Sequence, residues 1–225
     1  MNRSFVIATG NLHKAEEIAE IFSGRTGAAI EVSAITALDG GLVAYLCSEP
    51  ATTASALAAI DLPRHAPDVE ETGATLAENA RIKAVGVARA LGVTAIADDT
   101  GLEVDALGGL PGVHSARYAG PNATYEQNCE KLLAEMTERK RASRTARFVT
   151  VALSFDPTTG AEIVATGKVE GTILDSARGT NGFGYDPLFA PAGGGGRTFA
   201  EMSMQEKQAV SHRARAFEAL ANIFV

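Results

Sequence analysis

Short apolar runs that end in glycine-bearing turns and lead into helical segments constrain this chain more than any other feature. Residues 5–8 are apolar and run into Thr9-Gly10-Asn11. Over residues 14–22, Ala15, Ile18, Ala19 and Phe22 then fall on one side of a helix. Strand, glycine turn, helix is the opening of an α/β fold. Residues 29–35 read as a second strand. Thr75 with Glu78 fits a capping box ahead of a helix that reaches Leu91, and Gly92 is placed as its C-terminal cap. Residues 93–97 read as a buried strand ending in Asp98-Asp99-Thr100-Gly101, and residues 122–136 as a helix. Two longer runs, 147–155 and 162–173, flank Asp156-Pro157-Thr158-Thr159-Gly160, a hairpin signal. Alternating helices and strands followed by a long hairpin predict a mixed sheet, not an all-parallel one. Ser203 and Ser211 are candidate caps of two helices near the C-terminus.

Residues 36–67 break the alternation. They hold Gly40-Gly41, Pro50, Pro63, Pro67 and a Thr/Ser/Ala-rich run. The segment reads as a surface excursion with a short helix near 54–60 and no catalytic pattern.

At 225 residues the chain suits one domain or two lobes. Its 20 Lys and Arg against 27 Asp and Glu give a net charge of −7, which argues against a general nucleic-acid coat. A small phosphorylated ligand needs only a few converging cations and stays open. Cys47 and Cys129 are the only cysteines, so neither a disulfide framework nor a zinc site is expected. The apolar run at the start is too short for a signal-peptide core, and no stretch has the length of a membrane span. The expectation is a soluble cytoplasmic protein with no membrane or nucleic-acid partner.

The P-loop, the dinucleotide fingerprint, the HExxH zinc motif and the serine-hydrolase elbow are all absent. Three other patterns are present. Thr9-Gly10-Asn11-Leu12-His13-Lys14 sits where a strand becomes a helix, and N–H groups at a helix start favour anions. Asp98-Asp99 closes a buried strand, with Glu70-Glu71 upstream as a second source of carboxylates for a divalent metal. The alternation of side chains along a strand lets only one Asp of the pair face a given cleft. Gly182-Phe183-Gly184-Tyr185-Asp186-Pro187 presents an aromatic in a glycine loop beside an acid. Such a ring can stack on a base; in the plainer alternative Phe183 and Tyr185 fill a core corner. Lys207 and Ser211-His212-Arg213 add cations near a helix start. Together these point to a nucleotide site.

The motifs resemble those of the inosine triphosphate pyrophosphatases, the Ham1-like dITP/XTP pyrophosphatases. The likeness runs through Thr9-Gly10-Asn11 with Lys14, Glu70-Glu71-Thr72-Gly73 with Thr75, Glu78-Asn79-Ala80, Lys83-Ala84, Ala97-Asp98-Asp99-Thr100-Gly101-Leu102, Leu107-Gly108-Gly109-Leu110-Pro111-Gly112, Ser115-Ala116-Arg117, residues 182–187 and Ser211-His212-Arg213. The resemblance implies an elongated mixed sheet, two α/β lobes and a central active-site cleft. It also implies a homodimer, Mg²⁺ dependence and hydrolysis of ITP, dITP and XTP to the monophosphate and pyrophosphate. By position, Asp99 looks like the general base and a metal ligand, with Glu71 or Glu70 as its partner. Lys83 looks catalytic. Thr9 to Lys14, Thr100 and Lys207 look like phosphate and sugar contacts. Phe183 to Asp186, His212 and Arg213 look like base contacts. Residues 36–67 stand as an insertion within one pyrophosphatase domain, and Thr100 replaces the serine frequent at that place. Two alternatives compete with this reading: a Maf-type pyrophosphatase acting on other modified nucleotides, and a non-catalytic nucleotide-binding protein. The residues 183–186 and 211–213 argue against the first, and Lys14, Lys83 and Asp99 against the second.

Overall fold

The strands expected from the apolar runs form, and hydrogen bonding joins them into one mixed sheet. The computed structural model describes residues 4–27, 29–58, 60, 62–67, 69–139 and 143–224. The strands are β1 (Phe5–Ile7), β2 (Glu31–Thr36), β3 (Leu42–Ser48), β4 (Ala95–Val104), β5 (Pro111–Gly112), β6 (Thr145–Phe155), β7 (Glu162–Ile173) and β8 (Phe189–Pro191). The helices are α1 (Leu12–Thr26), α2 (Thr53–Ala58), α3 (Leu76–Leu91), α4 (Tyr125–Glu138), α5 (Met204–Val210) and α6 (His212–Phe224). The strand order is β2-β3-β1-β4-β6-β7-β8, with β5 beside β4. β1 pairs parallel with β4 and antiparallel with β3, so the sheet is mixed. Among the described residues no helix is long and apolar enough to cross a membrane.

The chain divides into two units. The first comprises residues 1–99, 151–165 and 216–225. Its sheet carries helices on both faces, and the pleat of β1 shows how. Phe5 and Ile7 pack with Ala15, Ile18 and Phe22 of α1 and Phe217 and Leu220 of α6. Val6 points the other way, into a cluster with Ala80, Ala84, Val87 and Leu91 of α3. A strand buried on both faces has no room for alternation with polar residues, hence its continuous apolar run. Ile18 is wholly buried, and each such side chain contributes about 2 kcal/mol. The second unit comprises residues 100–150 and 166–215. Its core joins Leu102 and Val104 of β4, Phe148 of β6 and Ile173 of β7 to Leu132 and Met136 of α4.

Two expectations change. Residues 36–67 are not a surface excursion throughout. β3 lies inside this segment, pairs with both β1 and β2, and buries Val43 to Ser48. Ala56 and Ile60 also join the core. The Thr- and Pro-rich flanks hid a seven-residue strand whose alternation is masked because both its faces are buried. Second, β4 does not end at Asp98-Asp99 but continues to Val104. It is β1 that stops, at Ile7, and leaves β4 without that neighbour from Asp98 onward.

Candidate active site

In the first unit, the end of β1 opens a polar cavity. Past Ile7 the chain turns through Thr9 and Gly10 into α1. Asn11 caps that helix, its Oδ1 accepting from Lys14 N at 3.3 Å, while Asn11 N donates to Thr9 Oγ1 at 3.2 Å. The cap sets Lys14 in the first turn, where its Nζ lies 2.8 Å from Asp98 Oδ1. The pleat of β4 sends Ile96 toward the α1 cluster and Ala95 and Ala97 toward the α3 cluster. Asp98 therefore follows Ile96 to Lys14, and Asp99 follows Ala97 to α3.

α3 receives Asp99 with two side chains one turn apart. The Thr75–Glu78 capping box forms as expected and fixes the helix start. Asn79 is fully buried. Its Oδ1 accepts from Gly73 N at 2.8 Å and its Nδ2 donates to Asp99 Oδ2 at 3.1 Å. A Cβ on Gly73 would stand 2.6 Å from Asn79 Oδ1, so only glycine allows this approach. Four residues on, Lys83 Nζ donates to Glu71 Oε1 at 2.9 Å and lies 3.6 Å from Asp99 Oδ1. Glu70, its chain neighbour, is exposed. The cavity holds about 280 Å³ and is lined by Thr9, Gly10, Lys14, Glu71, Lys83 and Asp98 among others.

Three carboxylates thus meet two ammonium groups. Burial opposes the Lys83 charge, but Asp98, Asp99 and Glu71 outweigh it and raise its pKa. The Asp99 carboxyl is also pushed up, by burial first and then by Glu71 and Asp98, against the pull of Lys83 and Asn79. The surplus of negative oxygen donors fits a hard divalent cation, which can use one or two protein carboxylates plus substrate phosphates. Among the described residues no three acid, His or Cys side chains form a cage of their own.

Asp98 is the residue sequence reasoning undervalued. Alternation along the strand suggested that one Asp of the pair would turn away from the cleft. Of the two it is Asp98, at 3% exposure, that lines this cavity, while Asp99 turns to Asn79 and Lys83. Removing its charge leaves Lys14 without this ion pair. Asp98→Asn should lower the unfolding free energy by about 1–3 kcal/mol, read by denaturant titration. An unchanged midpoint would show that the pair adds nothing to the fold. Asn79 was quoted only as part of a motif. An Asn one helical turn before Lys83, just inside a capped helix start, was the available signal.

The second unit holds the aromatic loop. Gly182 has φ +75°, and a Cβ there would come within 2.1 Å of Asp186 Oδ2. That same oxygen accepts from Phe183 N at 2.9 Å and from Lys207 Nζ at 2.7 Å. Ser203 caps α5 and so sets Lys207 in its last turn. Lys207 Nζ and Arg213 Cζ lie 5.1 and 5.5 Å from the centre of the Phe183 ring. Ser211 Oγ accepts from Ala214 N at 3.1 Å and caps the start of α6, from which His212 and Arg213 are buried. No hydrogen-bond acceptor meets Arg213 Nε among the described residues, although the side chain has further contacts. His212 stacks on Phe148 with centroids 4.7 Å apart. Its Nδ1 lies 2.6 Å from Thr150 Oγ1, which lies 2.7 Å from Thr100 Oγ1.

Several expected contacts are placed differently. The Tyr185 side chain is a core group, with its hydroxyl donating to Ser115 O at 2.9 Å. That is the packing alternative for the Tyr185 side chain. Asp186 Oδ2 is spent on building the loop. Lys207 sits with Phe183 and Asp186. Leu12 is 45% exposed, Gly184 has φ +63° with open space around it, and the His13 side chain lies outside the described residues.

The sequence pattern of the Ham1 family matches residues 5–223, nearly the whole chain. The chain belongs to the Ham1 family. Its relatives include a dITP/XTP pyrophosphatase of Syntrophobacter fumaroxidans, 55% identical over 160 residues, or 70% of this chain and 66% of that one. A dITP/XTP pyrophosphatase of Streptomyces coelicolor is 45% identical over 167 residues, 74% of this chain and 82% of the other. Among solved structures, a Ham1 protein from Coxiella burnetii aligns with a TM-score of 0.75 at 36% identity, covering 98% of this chain and 97% of its own. The Staphylococcus aureus Ham1 protein gives 0.71 at 35% identity, over 98% and 97%. Ham1 membership selects the Ham1-like reading over the Maf-type one.

Proposed function

We propose that the chain is a pyrophosphohydrolase that converts ITP, dITP and XTP to the monophosphate and pyrophosphate. The observation that carries this reading is the polar cavity lined by Lys14, Glu71, Lys83 and Asp98, with Asp99 3.6 Å from Lys83, in a Ham1 chain whose relatives are named dITP/XTP pyrophosphatases.

Glu71 and Asp99 would hold a divalent cation such as Mg²⁺, which when bound neutralises phosphate charge and helps activate water. Glu71 is preferred to Glu70 because it is Glu71 that reaches Lys83. Asp99, raised in pKa by burial and its acidic neighbours, accepts the proton of the water that attacks the α-phosphorus. Asn79 and Lys83 hold its two oxygens in place. Lys14, Lys83 and the N–H groups at the start of α1 stabilise charge on the departing pyrophosphate. Thr9, Gly10 and Asn11 shape that turn, and Thr100 is left as a sugar or phosphate contact. Phe183 stacks on the purine, and His212 and Arg213 read its edge. Asp186 and Lys207 hold the Phe183 loop. A homodimer in the cytoplasm completes the reading, and light scattering of the purified protein tests the dimer.

Cleavage between the α and β phosphates predicts the products. Purified protein with Mg²⁺ and ITP, dITP or XTP should release pyrophosphate and a nucleoside monophosphate, scored separately from orthophosphate. Stoichiometric orthophosphate would overturn the mechanism.

A further inference from the structure

Thr150 has no part in the mechanism above, yet its hydroxyl joins two residues that do. It is fully buried on β6, between His212 Nδ1 at 2.6 Å and Thr100 Oγ1 at 2.7 Å. A threonine hydroxyl has one proton, so it can donate to only one of these neighbours. A neutral imidazole likewise donates from one nitrogen and accepts at the other. The proton order is therefore linked: if Thr150 donates to His212, Thr100 must donate to Thr150.

We propose that Thr150 is a positioning residue that donates to His212 Nδ1, holds the ring in its Nε2–H tautomer, and accepts the Thr100 proton in return. An imidazole imine nitrogen is a stronger acceptor than a threonine oxygen, which favours this direction over its reverse. Phe148, stacked on the ring at 22° between planes, fixes the plane in which Nδ1 meets Thr150. Turning the ring over would put a carbon against Thr150 and leave a buried hydroxyl without its ring partner. Two consequences follow. His212 presents a donor at Nε2, suited to a keto oxygen and unsuited to an amino group. Thr100, the next residue after Asp99, is left an acceptor toward its remaining partners.

The specificity consequence rests on the proposed function; the tautomer does not, and the experiment separates them. The chain has four histidines, and ¹⁵N-histidine labelling with a His212→Gln control assigns the His212 signals. Spectra are taken above about pH 8, where an ordinary imidazole is neutral. In the wild-type protein Nδ1 should resonate as unprotonated and Nε2 as protonated. Thr150→Ser should keep that signature, and Thr150→Val should move the two shifts toward each other as the tautomers mix. The ratio of kcat/KM for ITP over ATP should fall about 3- to 10-fold in Thr150→Val, the loss expected for one neutral hydrogen bond, and return in Thr150→Ser. A wild-type spectrum with Nδ1 protonated would overturn the proposal, as would an unmixed Nε2–H signature in Thr150→Val. A mixed tautomer with an unchanged ITP to ATP ratio would overturn the specificity consequence. If Thr150→Val does not fold, the wild-type and Thr150→Ser spectra still decide the proton order. Absence of ITP hydrolysis in the wild type would sink the proposed function and leave the spectral test standing.

Discussion

Asp99→Asn should lower kcat by at least about 100-fold, on the order of general-base losses, without lowering the thermal midpoint of the metal-free protein. The first half follows from removing the negative charge that both proton transfer and cation binding need. The second half follows from the sign of the pKa shift. Burial, Glu71 and Asp98 raise the Asp99 carboxyl above its ordinary 3.8, so the folded chain holds the proton more tightly than the unfolded chain. The stability this contributes is fully present below 3.8 and is lost as pH rises through the raised folded value. At neutral pH the ionised Asp99 is therefore a cost to the fold. Asn keeps the shape and can still accept from Asn79, while removing the charge. Lys83 keeps Glu71 at 2.9 Å. Turnover and a melting curve in chelator, measured on one variant, check both halves. Near-normal turnover would reassign the base. A clearly lower midpoint would mean that the Lys83 attraction outweighs desolvation. Asp98→Asn makes the contrast, because its expected loss is in stability.

How much of this was legible beforehand follows physical lines. Local signals were reliable where one side chain meets its own backbone. The Thr75–Glu78 box, the Gly92 cap, the Asp156 to Gly160 turn and the Ser203 cap all appear as read. The apolar runs also marked β1, β2, β6 and β7, through their patterning. What failed depended on partners distant in sequence. β3 could not be told from its Thr- and Pro-rich surroundings, because its strand character comes from pairing with β1 and β2. The length of β4 could not be read either, since Asp98-Asp99-Thr100-Gly101 has the composition of a turn and is held extended by its neighbours in the sheet. The same limit applies to the site. The residue types were visible in the motifs, but not the partition of Asp98 to Lys14 and Asp99 to Asn79 and Lys83. That partition follows the pleat of β4, and which helix covers which face depends on packing between distant segments. Nor could the motif show that Tyr185 is core while Phe183, two residues earlier, keeps its ring beside Lys207 and Arg213.

Base selection gives the second large effect. A 6-keto purine offers an acceptor at position 6, and adenine offers an amino donor. Arg213 has only donors and does not lose its proton near neutral pH. It enters α6 at 2% exposure, over the Phe183 ring, so solvent cannot replace a missing acceptor there. If Arg213 reads position 6 as proposed, ITP would pair this donor, whereas ATP would set a donor against it, and a buried donor left unmatched costs about 1–3 kcal/mol, more when charged. Arg213→Ala should therefore reduce kcat/KM for ITP far more than for ATP, shrinking their ratio by roughly 10-fold or more. Phe183→Ala should behave differently. A ring stacks on any purine face, so its loss should weaken both substrates by similar factors. Loss of the ring also removes the aromatic face from Lys207 and Arg213, but Asp186 still holds Lys207 at 2.7 Å. Measuring kcat/KM for both nucleotides in both variants, with melting curves to confirm folding, tests the division. An unchanged ITP to ATP ratio in folded Arg213→Ala would move discrimination to the backbone groups of residues 183–186 or to His212.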